Sequence, residues 1–185
     1  MARSNSRSLP VALELLVSDH GKVKMLFDRY EQEKESDEET RRALAQRICA
    51  ELTVHAQLEE ELFYPWVREN IGEEEMDLVE EAMVEHASAK DLIAQIEGMG
   101  SVDETYDARV KVLGEYVKHH VGEEENELFT QLDGFQDELD ELGQEMHARK
   151  AELMEEMGLG KEGGSIAMPG ARGSKQRSQG APRGR

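Results

Sequence analysis

The sequence predicts an all-α protein: an up-down-up-down four-helix bundle with an additional C-terminal helix and a disordered basic tail. Residues 9–157 are dominated by Glu, Leu, Ala, Val and Met, a composition that favours helix over sheet. Apolar residues recur there at spacings of three and four, which is the period of an amphipathic helix. Four such helices joined by short loops are typical of an up-down-up-down bundle.

The 185 residues include 41 acidic and 22 basic side chains, a net charge of −19. Such a chain repels nucleic-acid backbone and anionic lipid, so neither is expected as a partner of the folded part. Cys49 is the single cysteine, which excludes an intrachain disulfide and fits a reducing compartment. The sequence contains no secretory signal and no run near the roughly 20 apolar residues of a membrane span. We therefore expect a cytoplasmic protein without a membrane segment.

The first predicted helix follows a disordered lead at residues 1–8. Ser8 is a candidate N-cap, and Pro10 suits the first turn. The polar stretch 31–35 closes this helix. Its buried face carries Leu13, Leu16, His20, Val23 and Phe27.

A capping box at residues 36–39 opens the second predicted helix. We expect Pro65 to disturb this helix and Gly72 to end it. Its apolar stripe consists of Leu44, Ile48, Leu52, Leu58, Leu62 and Trp66. His55 and Glu59 continue the same stripe, one helical turn apart.

The remaining helices follow the same pattern. The third covers about 73–97, with Val79, Met83, His86, Ile93 and Ile96 on one face. A capping box at residues 101–104 opens the fourth, whose buried face carries Val110, Leu113, Val117, His120, Glu124 and Leu128. The fifth spans about 135–157 and is expected to pack across the bundle or against a second subunit, so a homodimer stays open.

The composition changes at Gly158, and residues 158–185 are predicted to be a disordered tail rich in Gly, Ser, Pro and Arg. The tail has six basic residues and one acidic residue, a net charge of +5, which leaves −24 for residues 1–157. It is interpreted either as a solubilising, charge-screening appendage or as an anchor for an acidic partner.

The two halves of the chain repeat each other. In the first and third helices an acid-His pair is followed by a lysine four residues after the histidine, with His86 lying 66 positions after His20. In the second and fourth helices His55 and Glu59 align with His120 and Glu124 at a constant offset of 65. Duplicated helix pairs of this kind predict a pseudo-twofold axis along which the histidine faces meet.

The predicted metal ligands are His20, His55, Glu59, His86, His120 and Glu124. A carboxylate within an apolar stripe is costly to bury unless a charge compensates it, and a metal ion would do so. Histidines combined with carboxylates suit iron or zinc, and six ligands are too many for one tetrahedral zinc. They suit two ions bridged by Glu59 and Glu124. A ferritin-type site would instead contain Glu-x-x-His motifs and more carboxylates than histidines.

Residues 9–132 resemble the hemerythrin-like HHE cation-binding family. The resemblance rests on His20, His86, the two His-x-x-x-Glu motifs at 55–59 and 120–124, and the segments 59–65 and 124–129. It implies a four-helix bundle with a non-haem di-iron centre, oxo- or hydroxo-bridged when oxidised. It also implies that the small ligand is dioxygen, peroxide or nitric oxide, or that the protein senses iron.

Two departures from the oxygen-carrying members bear on function. Those members have a further histidine four residues after the one in the third helix, where this chain has Lys90. They also place an aspartate five residues after the fourth-helix histidine, whereas Glu124 follows His120 by four. The missing ligand leaves an open position, which favours reactions with peroxide or dioxygen, catalase-like chemistry among them, or sensing, over reversible oxygen carriage.

Several assignments stay open in the sequence. His119 is the alternative to His120 as a ligand, although the offset of 65 favours His120. One of the tyrosines 64, 106 and 116 would be able to supply a phenolate, but burial in the core or an interface is the default. Glu60 and Glu125 are candidate hydrogen-bond partners of the ligands or solvated carboxylates. His147 is expected on the surface. The alternative function is an iron or oxygen sensing or storage module that signals through the fifth helix and the tail.

Overall fold

The structure is a computed structural model that describes residues 8–72 and 76–159. Its α-helices are α1 (Val11–Gln32), α2 (Glu38–Leu58), α3 (Tyr64–Asn70), α4 (Met76–Glu97), α5 (Glu104–Glu123) and α6 (Gln136–Glu156). The described residues contain helices and no strands, which confirms the all-α prediction. Most of the predicted lead and basic tail lies outside the described residues, and so does the predicted start of the third helix.

Helices α1, α2, α4 and α5 form the bundle. Helix α1 packs against α2 and α5, and α4 packs against α2 and α5, so each helix has two neighbours. Helix α6 lies against α1 and α2 of its own chain. Gly143 permits this close approach, because a Cβ atom there would meet the backbone nitrogen of Ala12 at 2.4 Å.

The helix caps differ from the predicted ones. Pro10, not Ser8, is the N-cap residue of α1, and the backbone N–H of Val11 donates to Asp140 of α6 at 2.9 Å. The N-cap of α2 is Asp37 and that of α5 is Asp103, each accepting from a backbone N–H of the first turn. The predicted capping boxes were therefore wrong by one or two residues, because aspartate is as good an N-cap as serine.

Two π-helical turns follow α2 and α5, at equivalent positions of the internal repeat. The first π turn (Glu59–Phe63) lies between α2 and α3, and the second π turn (Glu124–Leu128) follows α5 and leads into a 3₁₀ turn at Phe129–Leu132. The predicted disturbance at Pro65 is present, but it begins at Glu59. Proline is not the common cause of the two π turns, since residues 124–156 contain no proline. Both turns begin at a glutamate buried in the bundle, and π turns are frequent at functional sites.

The core consists of two apolar clusters with a polar layer between them. The first cluster includes Leu16, Leu58, Leu128, Leu139 and Met146, and the second includes Val23, Ile48, Ile93, Leu113 and Tyr106. The predicted ligands interrupt the apolar stripes at similar positions along the bundle axis. They therefore lie between the two clusters. Among the described helices, none combines the length and apolarity that crossing a membrane requires.

Candidate metal centre

The structure brings all six predicted ligand residues into one buried polar layer. Each is at most 7% exposed: His20, His55, Glu59, His86, His120 and Glu124. Their ligating nitrogen and oxygen atoms form two groups, and within each group the atoms lie within 4.8 Å of one another. One group contains His20, His55, Glu59 and Glu124, and the other contains Glu59, His86 and His120. Glu59 therefore belongs to both.

The histidines face each other in two pairs through their Nε2 atoms. The Nε2 atoms of His20 and His55 are 3.2 Å apart, and those of His86 and His120 are also 3.2 Å apart. The first pair joins α1 to α2 and the second joins α4 to α5, as the internal repeat predicts. The equal distances show that the two halves present matching donor sets to the bundle axis.

The two glutamates connect the pairs. Glu59 places Oε1 3.2 Å from His55 Nε2 and Oε2 3.3 Å from His86 Nε2. Glu124 places Oε2 3.4 Å from His20 Nε2 and 3.5 Å from His120 Nε2. Each carboxylate thus reaches both histidine pairs, which is the arrangement needed to bridge two ions.

Four outer carboxylates face the Nδ1 atoms on the far side of the rings. Glu125 is 2.8 Å from His20, Glu60 is 3.0 Å from His86, and Glu85 is 2.9 Å from His120. Asp19 is more distant, at 3.8 Å from His55. The sequence pointed to Glu60 and Glu125 but missed the other two. Their signal was the acid-His pair, in which each acid serves the histidine of the neighbouring helix.

These contacts fix the chemistry of the inner atoms. A carboxylate within hydrogen-bond reach of Nδ1 favours the tautomer with its hydrogen on Nδ1, as for metal-binding histidines. If the rings are neutral, the Nε2 lone pairs then face one another and the carboxylates, so acceptors would meet acceptors. Both carboxylate oxygens of Glu59 and Oε2 of Glu124 are buried without a hydrogen-bond partner. Cations between these atoms would remove the conflict, so the donor set fits a metal ion.

The charges of the buried layer also favour a cation at its centre. Burial opposes a charge on His55, but Glu59, Asp19 and Glu124 outweigh it and raise its pKa to about 10. The pKa of His86 is also raised despite burial, by Glu59 and Glu60. Burial would raise the pKa of Glu59, yet His55 and His86 hold it well below its ordinary value. The layer therefore favours positive charge at its centre, which protons or metal ions can supply.

A small cavity adjoins the four histidines. Its volume is about 40 Å³, room for two or three waters, and its polar neighbours include Lys90 and Tyr116. Lys90 lies one helical turn after His86, and its ammonium group contacts Glu60 at 2.6 Å. Much of the remaining wall is apolar, with Val23, Leu52, Ala89, Ile93 and Val117. The cavity suits a small, weakly polar molecule next to the candidate ions.

The residues whose roles the sequence left open differ in their burial. The side chain of His119 is 62% exposed and lies outside the buried layer, whereas His120 lies within it. Tyr64 is buried, and its hydroxyl donates to Glu124 at 2.8 Å. Tyr106 is buried in the second apolar cluster, and Tyr116 is 49% exposed. His147 is exposed, and Cys49 is a buried free thiol.

Comparisons with known proteins give one family. Residues 11–132 match the hemerythrin HHE cation binding domain. The solved structure of a hemerythrin HHE cation binding domain-containing protein from Mycobacterium kansasii has the same fold, with a TM-score of 0.64 and 24% identity over 77% of this chain and 86% of that one. A DNA nickase from Nostoc sp. is 29% identical over 147 residues, and the match spans 78% of this chain but only 40% of that protein. The chain belongs to the hemerythrin HHE cation-binding domain family, and its His and Glu clusters can hold a metal ion.

Proposed function

We propose that this chain is a non-haem di-iron protein that reacts with dioxygen or peroxide. The observation that supports it best is the sharing of Glu59 between two clusters of metal-ligating atoms next to a small cavity. Two clusters with a common carboxylate match two bridged ions better than one. The cavity supplies the space in which a small ligand would meet them.

Iron is favoured by the donor set. Four imidazoles and two carboxylates exceed the four ligands of a structural zinc site, and they include no thiolate. Mixed His and carboxylate ligation with open positions is typical of non-haem iron that reacts with oxygen. Bound iron would supply the electrons and the vacant coordination positions for that chemistry. One outcome is disproportionation of two molecules of hydrogen peroxide to two of water and one of dioxygen.

The protein residues select and orient the ligand. The largely apolar wall around Leu52 and Ile93 favours small neutral molecules, and the net charge of −24 on residues 1–157 disfavours anions. Lys90 is bound to Glu60 and offers no imidazole, so bound iron would keep a position near His86 for dioxygen, peroxide or nitric oxide. The outer carboxylates orient the histidine rings through their Nδ1 atoms, and the Tyr64 hydroxyl orients Glu124 by a hydrogen bond.

The test begins with protein purified without added metal. We expect two iron atoms per chain and, after anaerobic loading, release of dioxygen on addition of peroxide. Glu59→Gln keeps the side-chain shape but removes the shared charge, so it should lower both iron content and dioxygen release by about tenfold or more. Glu61→Gln is the matched control, because Glu61 lies in the same π turn but pairs with Arg149 at the surface. Iron well below one atom per chain would contradict the metal centre, and a full complement that is inert to peroxide would contradict the reactivity.

A sensing or storage role is the second candidate, and one contact favours sensing. Lys150 of α6 forms an ion pair with Asp19, whose other oxygen lies 3.8 Å from His55 Nδ1. Changes at the centre can therefore reach α6 through two side chains. Hydrogen exchange along residues 136–156 should then differ between metal-free and iron-loaded protein. Identical exchange in the two forms would remove this candidate.

The nickase relative does not lead us to propose a DNA substrate. The match covers less than half of that protein, and the acidic surface of residues 1–157 repels a phosphate backbone. We therefore expect supercoiled plasmid to stay intact with the iron-loaded chain. Conversion to the open-circular form, absent with Glu59→Gln, would contradict this expectation.

A further inference from the structure

A third group of side chains that could hold a metal ion lies on the surface of the α4–α5 face. Its members are Glu85 of α4 and His119 and Glu123 of α5, called the surface triad below. Their ligating atoms lie within 4.8 Å of one another. His119 Nε2 is 3.2 Å from Glu123 and 3.6 Å from Glu85. One imidazole and two carboxylates are a donor set that divalent first-row metals accept.

Glu85 links this triad to the buried layer. One of its oxygens lies 3.6 Å from His119 and the other lies 2.9 Å from Nδ1 of the buried ligand His120. A cavity of about 10 Å³, room for one water or ion, is lined by two members of the triad and by two residues of the buried layer. Its polar lining comes from Glu85, Glu123, His120 and Glu124. Glu124 lines the inner end of this cavity, and its Oε2 is buried without a hydrogen-bond partner.

The other half of the repeat lacks this feature. The offset of 65 places Val54 where His119 stands and Leu58 where Glu123 stands. Both belong to the first apolar cluster, which includes the α6 residues Leu139 and Leu142. Asp19, the counterpart of Glu85, is paired with Lys150. One half is therefore closed by α6, while the other presents the triad to solvent.

We propose that the surface triad captures Fe²⁺ from solution and delivers it to the buried centre through Glu85. The ion first binds His119, Glu123 and the outer oxygen of Glu85. It then moves past the Glu85 carboxylate to His120 and Glu124. The delivery step rests on the proposed function, whereas capture at the surface does not depend on it.

Capture is tested with Zn²⁺ alone in a Glu59→Gln, Glu124→Gln background, which removes both buried carboxylates. Calorimetric titration should show one Zn²⁺ per chain, and adding His119→Ala should weaken its binding by about tenfold or more. Adding His147→Ala should leave it unchanged, because His147 is an exposed histidine of α6 outside the triad. Equal Zn²⁺ binding with and without His119 overturns the proposal. Circular dichroism verifies that the variants keep their helices.

Delivery is tested in the chain with its buried ligands intact. Stopped-flow loading with anaerobic Fe²⁺ should be about tenfold slower in His119→Ala than in the wild type or His147→Ala, with the same final iron content. Because the His119 side chain is mostly exposed, the variant is expected to fold. Equal loading rates overturn the proposal. If the wild type retains surface Zn²⁺ but takes up no buried iron, the proposed function fails and delivery fails with it, while the surface binding identifies which step is missing.

Discussion

The hydroxyl of Tyr64 donates a hydrogen bond of 2.8 Å to the carboxylate of Glu124 across the bundle. Its equivalent in the other half of the repeat is Phe129, so this contact breaks the pseudo-twofold symmetry. Burial, Glu59 and Glu124 together raise the pKa of Tyr64 well above its ordinary value. The tyrosine is therefore a neutral donor to Glu124, and the phenolate that the sequence left open is disfavoured.

Tyr64→Phe should destabilise the metal-free chain more than the loaded one. Without the hydroxyl, Glu124 loses a buried donor, which costs about 1.5–3 kcal/mol for a bond to a charged group. A bound cation would satisfy the carboxylate, so the loss should shrink when metal is present. Urea unfolding with and without iron measures both values.

Tyr30→Phe is the matched control for this comparison. Tyr30 is also buried and donates to a carboxylate, Asp107, at 2.7 Å, but it lies in the second apolar cluster away from the ligands. Its destabilisation should be the same with and without iron. If the two variants respond alike to iron, Tyr64 has no special relation to the metal centre.

Lys90→His should add a fifth imidazole to the candidate metal centre. The new imidazole would stand one turn after His86, facing the cavity that Lys90 now lines. If the proposed function holds, it would fill the position left for the small ligand, so peroxide-dependent dioxygen release should fall by about tenfold or more while iron content is kept. Lys90→Gln is the control, because it removes the exposed ion pair with Glu60 without adding a ligand. Equal release from both variants would show that the position is not used.

The burial of the six candidate ligands in one layer was predictable because helical spacing fixes which residues share a face. His55 and Glu59 stand one turn apart within an apolar stripe, and the second half repeats them at a constant offset. Local periodicity therefore placed these side chains in the core before any tertiary contact was known. The structure gathers them in one layer, and their role as ligands remains a prediction.

Features set by contacts between distant helices were not predictable in this way. Asp19 and Glu85 face histidines of a neighbouring helix, which depends on the rotation of one helix against another. Asp140 caps α1 from 129 positions along the chain, so local capping rules pointed to Ser8 instead. The π turns at Glu59 and Glu124 were not predicted, because helical periodicity alone does not distinguish them from an α-helix. Each π turn begins at a glutamate that is buried in the polar layer.

Cys49 should be inert in the native protein. Its thiol is buried in the second apolar cluster, and burial together with Glu97 raises its pKa to about 12. At pH 8.5 the native thiol is neutral, whereas an unfolded thiol of ordinary pKa is about half ionised. Alkylation by iodoacetamide, followed by mass spectrometry, should be slow in buffer and fast in urea. Since the chain has one cysteine, any rapid native labelling would show that this side of α2 opens.

Gly143→Ala should loosen α6 from the bundle. The added methyl group would meet backbone atoms of Ala12 and Val11, which cannot rotate away as a flexible side chain would. We expect a loss of about 1–3 kcal/mol in the free energy of unfolding, from overpacking at this crossing. Gly21→Ala is the control, since a Cβ atom there meets nothing within 4 Å and alanine should stabilise α1 by about 0.5–1 kcal/mol. Urea unfolding of both variants separates tight packing from helix propensity, and equal stabilisation by the two substitutions would mean that α6 does not approach α1 this closely.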